Sequence, residues 1–265
     1  NSCKEKKYAT CDNYKYYGSR NAGGFSEYIS VKEWNLIKID KIGYENAAFL
    51  EPLSVVIHGL KKSSLLSENK TYQKKKICVI GAGFLGLLMS EIILNKLENS
   101  EIHVIDKNQF KLDHISFLKG VKTQCLDDSD KWKKFIDNKK NHFDYVFELS
   151  GNEINFSRSI LLSKANGKIL WLGNIQNDLS LDKSLVSTIL RKELKILGSW
   201  NSQFKHDDDD WLDAIQLIEE GFVNPSKYIT QLISLEEVPS VLEKMYNHKL
   251  RVKEHRYIKY CISNM

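Results

Sequence analysis

Long apolar runs are missing: nothing in the 265 residues approaches the about twenty consecutive apolar positions of a membrane-spanning helix. Proline is scarce, at three, glycine stands at fourteen, and no single-residue tract occurs, which excludes collagen-like and disordered chains. The charge excess is small as well. Lys and Arg total 39 against 34 Asp and Glu, a net +5. The surplus is scattered, and Asp207 to Asp210 form a compact acidic run, so no nucleic-acid partner is expected. Five cysteines, an odd number spread widely, do not make a disulfide framework, and a reducing cytoplasm is expected. No secretory leader pattern opens the chain, which starts on Asn1-Ser2-Cys3 instead of Met. That start raises the expectation of a missing N-terminal segment. What is present, 42% apolar residues, suffices for one large or two ordinary cores.

The first sixty residues read as short strands and turns, with a turn at Gly23-Gly24 leading into a strand at Phe25 to Val31. From Glu45 the spacing of Ala47, Ala48, Leu50, Leu53, Val56, Ile57 and Leu60 predicts a helical region, which Pro52 should break or kink. Lys61 to Lys76 is polar and suits a connection between domains. Strands are then predicted at Ile77 to Ile80, Ile102 to Ile105, Tyr145 to Phe147, Ile169 to Leu172 and Leu194 to Leu197. Helical patterns lie around Leu87 to Leu97, Asn155 to Lys164 and Leu185 to Arg191. Short apolar strands alternating with helices predict an α/β fold with a doubly wound parallel sheet. Helices near Trp211 to Glu220 and Glu236 to Asn247 and a strand at Arg256 to Ile262 complete the chain.

Gly81-Ala82-Gly83-Phe84-Leu85-Gly86 follows the first of these strands and opens a helix, and Asp106 ends the next strand. That context makes the glycine signature a candidate dinucleotide site. Gly81 would permit the tight turn, Gly83 the approach of a pyrophosphate, and Gly86 close packing of helix on strand. The helix start at Phe84 and Leu85 would offer N–H groups to the phosphates. Asp106 suits both ribose hydroxyls and repels a 2′-phosphate, favouring NAD, although the neighbouring Lys107 could help to hold NADP. A plain structural turn is the alternative.

Cys3 and Cys11, with seven residues between them, and Glu51 and His58 in an apolar segment carry little weight alone. A structural zinc needs four ligands, and these residues also read as coincidence, a helix-start charge and a packed or exposed histidine.

Taken in order, the segments resemble the medium-chain zinc-dependent dehydrogenases, the family of alcohol, sorbitol and threonine dehydrogenases. Cys3 and Cys11 match the spacing of the third and fourth cysteines of that family's zinc lobe. Gly18 to Tyr28, Glu51-Pro52, the glycine motif, Phe147 to Gly151 and Leu172-Gly173 follow in the family's sequence. Gly18-Ser19-Arg20 and Ile189 to Trp200 resemble the galactitol-1-phosphate branch, with Arg20, Arg191 and Lys192 as candidate phosphate counterions. Ser100 to Val104 and Lys111 to Phe117 resemble the ribulose-5-phosphate reductase branch, which uses NADPH.

The resemblance implies a Rossmann sheet plus an incomplete GroES-like β-barrel catalytic domain. Residues 1–60 would belong to the latter, 61–205 to the NAD-binding domain, and 206–265 to a return to the catalytic part. It implies Zn2+ and NAD as cofactors, with Cys3, Cys11 and Glu51 as metal ligands and Glu51 also at the catalytic centre. Lys111 would flank the adenosine ribose, and Gly173 and Ser199 the nicotinamide. The implied reaction is hydride transfer between a polyol, such as galactitol 1-phosphate, and NAD, in a homodimer or homotetramer that pairs near Leu170 to Leu197. The family's remaining zinc ligands precede Cys3, so the chain is expected to be truncated and inactive alone. A nucleotide-binding relative without catalysis and a zinc-free quinone-reductase-like enzyme are the alternatives.

Overall fold

A computed structural model describes residues 2–67, 74–97, 99–116, 118–205, 207–250, 252 and 255–263. The sequence landmarks Asn1, Phe117 and His206 lie outside the described residues, as do residues 68–73 of the expected connection. In chain order the elements are α1 (Tyr44–Ala47), α2 (Leu50–Ser63), β1 (Lys76–Ile80), α3 (Phe84–Lys96), β2 (Glu101–Asp106), α4 (Gln109–Ser116) and β3 (Val121–Cys125). There follow α5 (Ser129–Lys139), β4 (Phe143–Glu148), α6 (Glu153–Leu162), β5 (Ser163–Trp171), α7 (Lys183–Arg191) and β6 (Lys195–Gly198). The last are α8 (Asp210–Glu219), β7 (Ile229–Ile233), α9 (Val238–Lys249) and β8 (Lys259–Ile262). No helix among the described residues is long and apolar enough to cross a membrane.

Six strands form one parallel sheet in the order β3-β2-β1-β4-β5-β6. The order reverses between β1 and β4, and ligands of doubly wound sheets bind at the carboxyl ends of strands beside such a switch. Alternate side chains of each strand serve two cores. Ile77 and Val79 of β1 join Ile102, Val104 and Phe147 in the core beneath α2, α3 and α8. Cys78 and Ile80 join Ile105, Val146 and Ile169 beneath α5 and α6. The two-residue period thereby explains why both faces of the sheet need apolar residues.

Helix α3 lies over the sheet with nine buried residues, Glu91 among them. Its carboxylate is satisfied by Lys227 Nζ, the Tyr228 hydroxyl at 2.9 Å and the Asn224 N–H at 3.3 Å, which ties α3 to the segment before β7. Helix α2 is fastened to α8 by charge. His58 Nδ1 lies 2.9 Å from Asp210 Oδ2, and Lys61 Nζ approaches Asp208, Asp210 and Asp213 at 2.6, 2.9 and 2.6 Å. Asp209 caps α8 by accepting from the N–H groups of Trp211 and Leu212. The acidic run is thus a structural device.

Three expectations need correction. Pro52 does not break the helix: it is the third residue of α2, in the first turn, where a missing N–H costs no intrahelical bond. The described residues before α1 hold no strand, only short 3₁₀ turns at Tyr8–Thr10 and Glu33–Asn35 and one bridge between Tyr17 and Asn21. Phe25, Tyr28 and Ile29 do not alternate, and Tyr28 is 91% exposed, so this segment has neither the strand period nor a surface to cover. Lys61 and Lys62 close α2 instead of beginning a connection. Outside the main sheet β7 and β8 pair in parallel, and no barrel closes among the described residues.

Candidate dinucleotide site

The turn after β1 places three glycines for three reasons. Gly81 has φ +109°, and its N–H donates to the Ile105 carbonyl at 2.7 Å, closing the turn against β2. A Cβ on Gly86 would lie 1.8 Å from the Gly81 carbonyl oxygen, so only glycine lets α3 pack this close to the turn. A Cβ on Gly83 would meet nothing within 4 Å, which leaves the backbone there open to a ligand. Gly83 is the N-cap of α3 without a side-chain cap, and the N–H groups of the first turn, from Phe84 and Leu85 onward, have no acceptor within the helix.

Asp106 ends β2 beside this turn. Its Oδ2 accepts from the Ala82 N–H at 2.8 Å and its Oδ1 from the Asn108 N–H at 2.9 Å. Each oxygen keeps a lone pair, and the carboxylate is fixed by the same loop that a pyrophosphate would touch. Lys107 is exposed, and Lys111 stands in the first turn of α4, half-buried. A cleft of about 280 Å³ runs along the glycine turn, bounded by Pro52 of α2, Gly83, Phe84, Leu85, Gly86, Leu149 and Lys259 of β8. Lys259 Nζ lies 5.5 Å from the Phe84 ring centroid and supplies a cation at the cleft wall. Sequence reasoning missed it, because nothing in a polar-apolar strand end announces a partner so far away in the chain.

The other expected residues fall around this cleft in different ways. Gly173 is buried, and a Cβ there would lie 2.3 Å from the Gly151 nitrogen and 2.8 Å from Glu148 Oε2. It serves the close approach of the loops after β4 and β5. Burial pushes the Glu148 carboxyl up, while hydrogen bonds from the Ser150 hydroxyl and from the Ser150 and Gly151 N–H groups act the other way. Ser199 donates its N–H to the Trp171 carbonyl at 2.9 Å. Its hydroxyl is buried without a hydrogen-bond partner among the described residues and faces Gly59 of α2, where a Cβ would lie 3.7 Å from it. Lys192 is engaged at the end of α6, donating to the carbonyls of Ile160 and Ser163 at 3.1 and 2.7 Å. Arg20 lies over the Tyr14 ring, and Arg191 is exposed.

Cys3 and Cys11 are brought together. Hydrogen bonding between the two thiols pushes Cys3 up and Cys11 down. Glu51 stands in the first turn of α2; burial of its carboxyl pushes it up, and Lys259 opposes that shift. A tetrahedral zinc needs four donors. Among the described residues neither the thiol pair nor Glu51 gathers a third His, Cys, Asp or Glu ligand atom. Among the described residues these donors do not by themselves complete a four-ligand zinc site.

A galactitol 1-phosphate 5-dehydrogenase of Escherichia coli K12 is 26% identical over 221 residues, covering 82% of this chain and 62% of the relative. A D-arabitol-phosphate dehydrogenase of Enterococcus avium is 26% identical over 249 residues, covering 92% and 66%. The chain therefore spans under two thirds of the length of these relatives. Among solved structures, galactitol-1-phosphate dehydrogenase from Escherichia coli superposes with a TM-score of 0.78 at 24% identity, over 97% of this chain and 73% of that one. Acetophenone reductase from Geotrichum candidum, in complex with NAD, gives 0.71 at 22%, over 93% and 66%. At these identities the structural likenesses establish the fold alone. The family model described as glucose dehydrogenase C-terminus matches residues 44–252, and through it the chain belongs to the medium-chain dehydrogenase family.

Proposed function

We propose that this chain is the NAD-binding part of a polyol or polyol-phosphate dehydrogenase. The observation that carries the reading is Asp106, anchored by the Ala82 N–H at the glycine turn with lone pairs left for ribose hydroxyls. A carboxylate held there repels a 2′-phosphate and favours NAD over NADP. The phosphates would rest on the open backbone at Gly83 and the start of α3, with Lys259 as a further counter-charge. Phe84 packs edge-on against Tyr228 and tilted against Phe49, which fixes the cleft wall before any ligand arrives. NAD supplies the hydride acceptor; the protein's part is to hold it in one orientation.

For the protein as a whole the proposed reaction is reversible oxidation of a secondary alcohol to a ketone, with a hexitol phosphate such as galactitol 1-phosphate as substrate. The names of the relatives support the substrate class. In this reading residues 1–60 and 206–265 are portions of the catalytic domain that flank the nucleotide domain. The incomplete zinc donor set favours a second statement: this chain alone binds NAD without turning it over.

Fluorescence titration with NADH and NADPH tests the proposal. NADH should bind more tightly, and Asp106→Ser should weaken NADH by about tenfold or more, the worth of a charge-assisted hydrogen bond, while NADPH, relieved of the repelling carboxylate, should bind more tightly than in the parent. Equal affinities in the parent would overturn the cofactor assignment. Substrate class is read separately, from NAD reduction by the whole protein with galactitol 1-phosphate, arabitol phosphate and free sorbitol; a preference for free sorbitol would overturn the phosphate reading.

A further inference from the structure

The amino ends of the strands carry a second group of chemistry-bearing side chains, opposite the glycine turn. Glu101 and His103 project from the same face of β2, two residues apart, and His142 immediately precedes β4. Glu101 Oε1 lies 2.8 Å from His103 Nε2 and 3.4 Å from His142 Nε2. One ligand atom from each residue falls within 4.8 Å of the other two, the only such grouping of three among the described residues. Their side chains are 12%, 3% and 21% exposed, so the group is recessed yet open on the His142 side. Both imidazoles are held by one wedge: Phe143 lies edge-on to His103 at 5.2 Å and to His142 at 4.9 Å.

We propose that Glu101, His103 and His142 form a binding site for a divalent transition-metal ion of the zinc class. Two imidazoles and one carboxylate are the donors that zinc, cobalt and nickel share, and three protein ligands leave a fourth position for water. Bonds of about 2.0–2.1 Å to a tetrahedral ion put ligand atoms about 3.4 Å apart. The His142–Glu101 pair already has that spacing, and the His103–Glu101 pair needs to open by about half an ångström. Lys122 Nζ and Lys139 Nζ lie 3.2 and 3.6 Å from the same carboxylate oxygen. They are the competitors an incoming ion must displace. Lys122, 59% exposed, has room to swing outward. Along β2 Glu101 lies about 17 Å and His103 about 10 Å from Asp106, so the ion would tie strand starts together without touching the dinucleotide.

The test uses the full chain carrying Cys3→Ser and Cys11→Ser, stripped of metal and titrated with Zn2+, alongside imidazole nitrogen NMR spectra of the unsubstituted chain. One zinc should bind per chain, with the Nε2 signals of His103 and His142 shifting together. His142→Gln should weaken binding by about tenfold or more. Lys122→Met should tighten it, because it removes a competing cation from the carboxylate, whereas a purely structural salt bridge gives no reason for tighter zinc binding. Unshifted imidazole signals under excess zinc, undiminished affinity in His142→Gln, or a Lys122→Met variant that binds no more tightly would each overturn the site.

Discussion

Gly83 and Gly86 sit three positions apart in one turn and answer to different constraints. A methyl group at Gly83 meets nothing in the protein but fills the space a phosphate would use. Gly83→Ala should leave the melting temperature unchanged and lower NADH affinity, as read by fluorescence titration against a thermal scan. At Gly86 the methyl would drive into the Gly81 carbonyl, so helix and strand must separate. Gly86→Ala should cost about 1–3 kcal/mol in urea unfolding and weaken NADH as well. Both glycines and Asp106 were legible in the sequence because the chemistry of this turn is local, held within a strand, a turn and the next strand. Lys259 was not, since the cleft brings it to Phe84 from the far end of the chain through tertiary packing alone.

Elements buried on both faces were equally legible. β1, β2 and β4 are central strands with near-continuous apolar runs, and each lies within a residue or two of its predicted place. β3 escaped notice because Val121-Lys122-Thr123-Gln124-Cys125 is an edge strand, polar where the sheet meets water. The pairing of α2 with α8 was also hidden, since an acidic run reads as a solvated face until its counter-charges come into view. Burial pushes the Asp210 carboxyl up, but His58, the Gln203 N–H and Lys61 together hold it below the usual range. A carboxyl depressed in the folded state stabilises fully above its unfolded pKa of about 3.9 and loses that contribution as pH falls through the folded value. Unfolding free energy should therefore drop in acid below about pH 4, with a shallower drop in Asp210→Asn. At neutral pH that variant should cost about 2 kcal/mol, checked by urea unfolding across pH.

For the whole molecule, β6 closes one side of the sheet with β5 as its only neighbour among the described residues, and Val186 and Leu190 of the adjoining α7 are exposed. An open strand edge beside apolar side chains suits pairing with a second copy. The chain should run as a homo-oligomer in light scattering, and Val186→Glu with Leu190→Glu should shift it toward monomer. The fastening of α2 to α8 has its own reach. Pro52 stands in the cleft wall and Lys61 in the acidic clasp, nine residues apart on one helix, about 14 Å along its axis. One helix therefore runs from the acidic clasp to the cleft wall. Ionic strength screens the outer Asp208 and Asp213 pairs more than the buried Asp210, so salt should loosen that end of α2 first, and NADH titration across ionic strength checks whether the cleft responds. Asp213→Asn, remote from the glycine turn, should lower NADH affinity in the same titration; unchanged affinity would mean that the clasp serves stability alone.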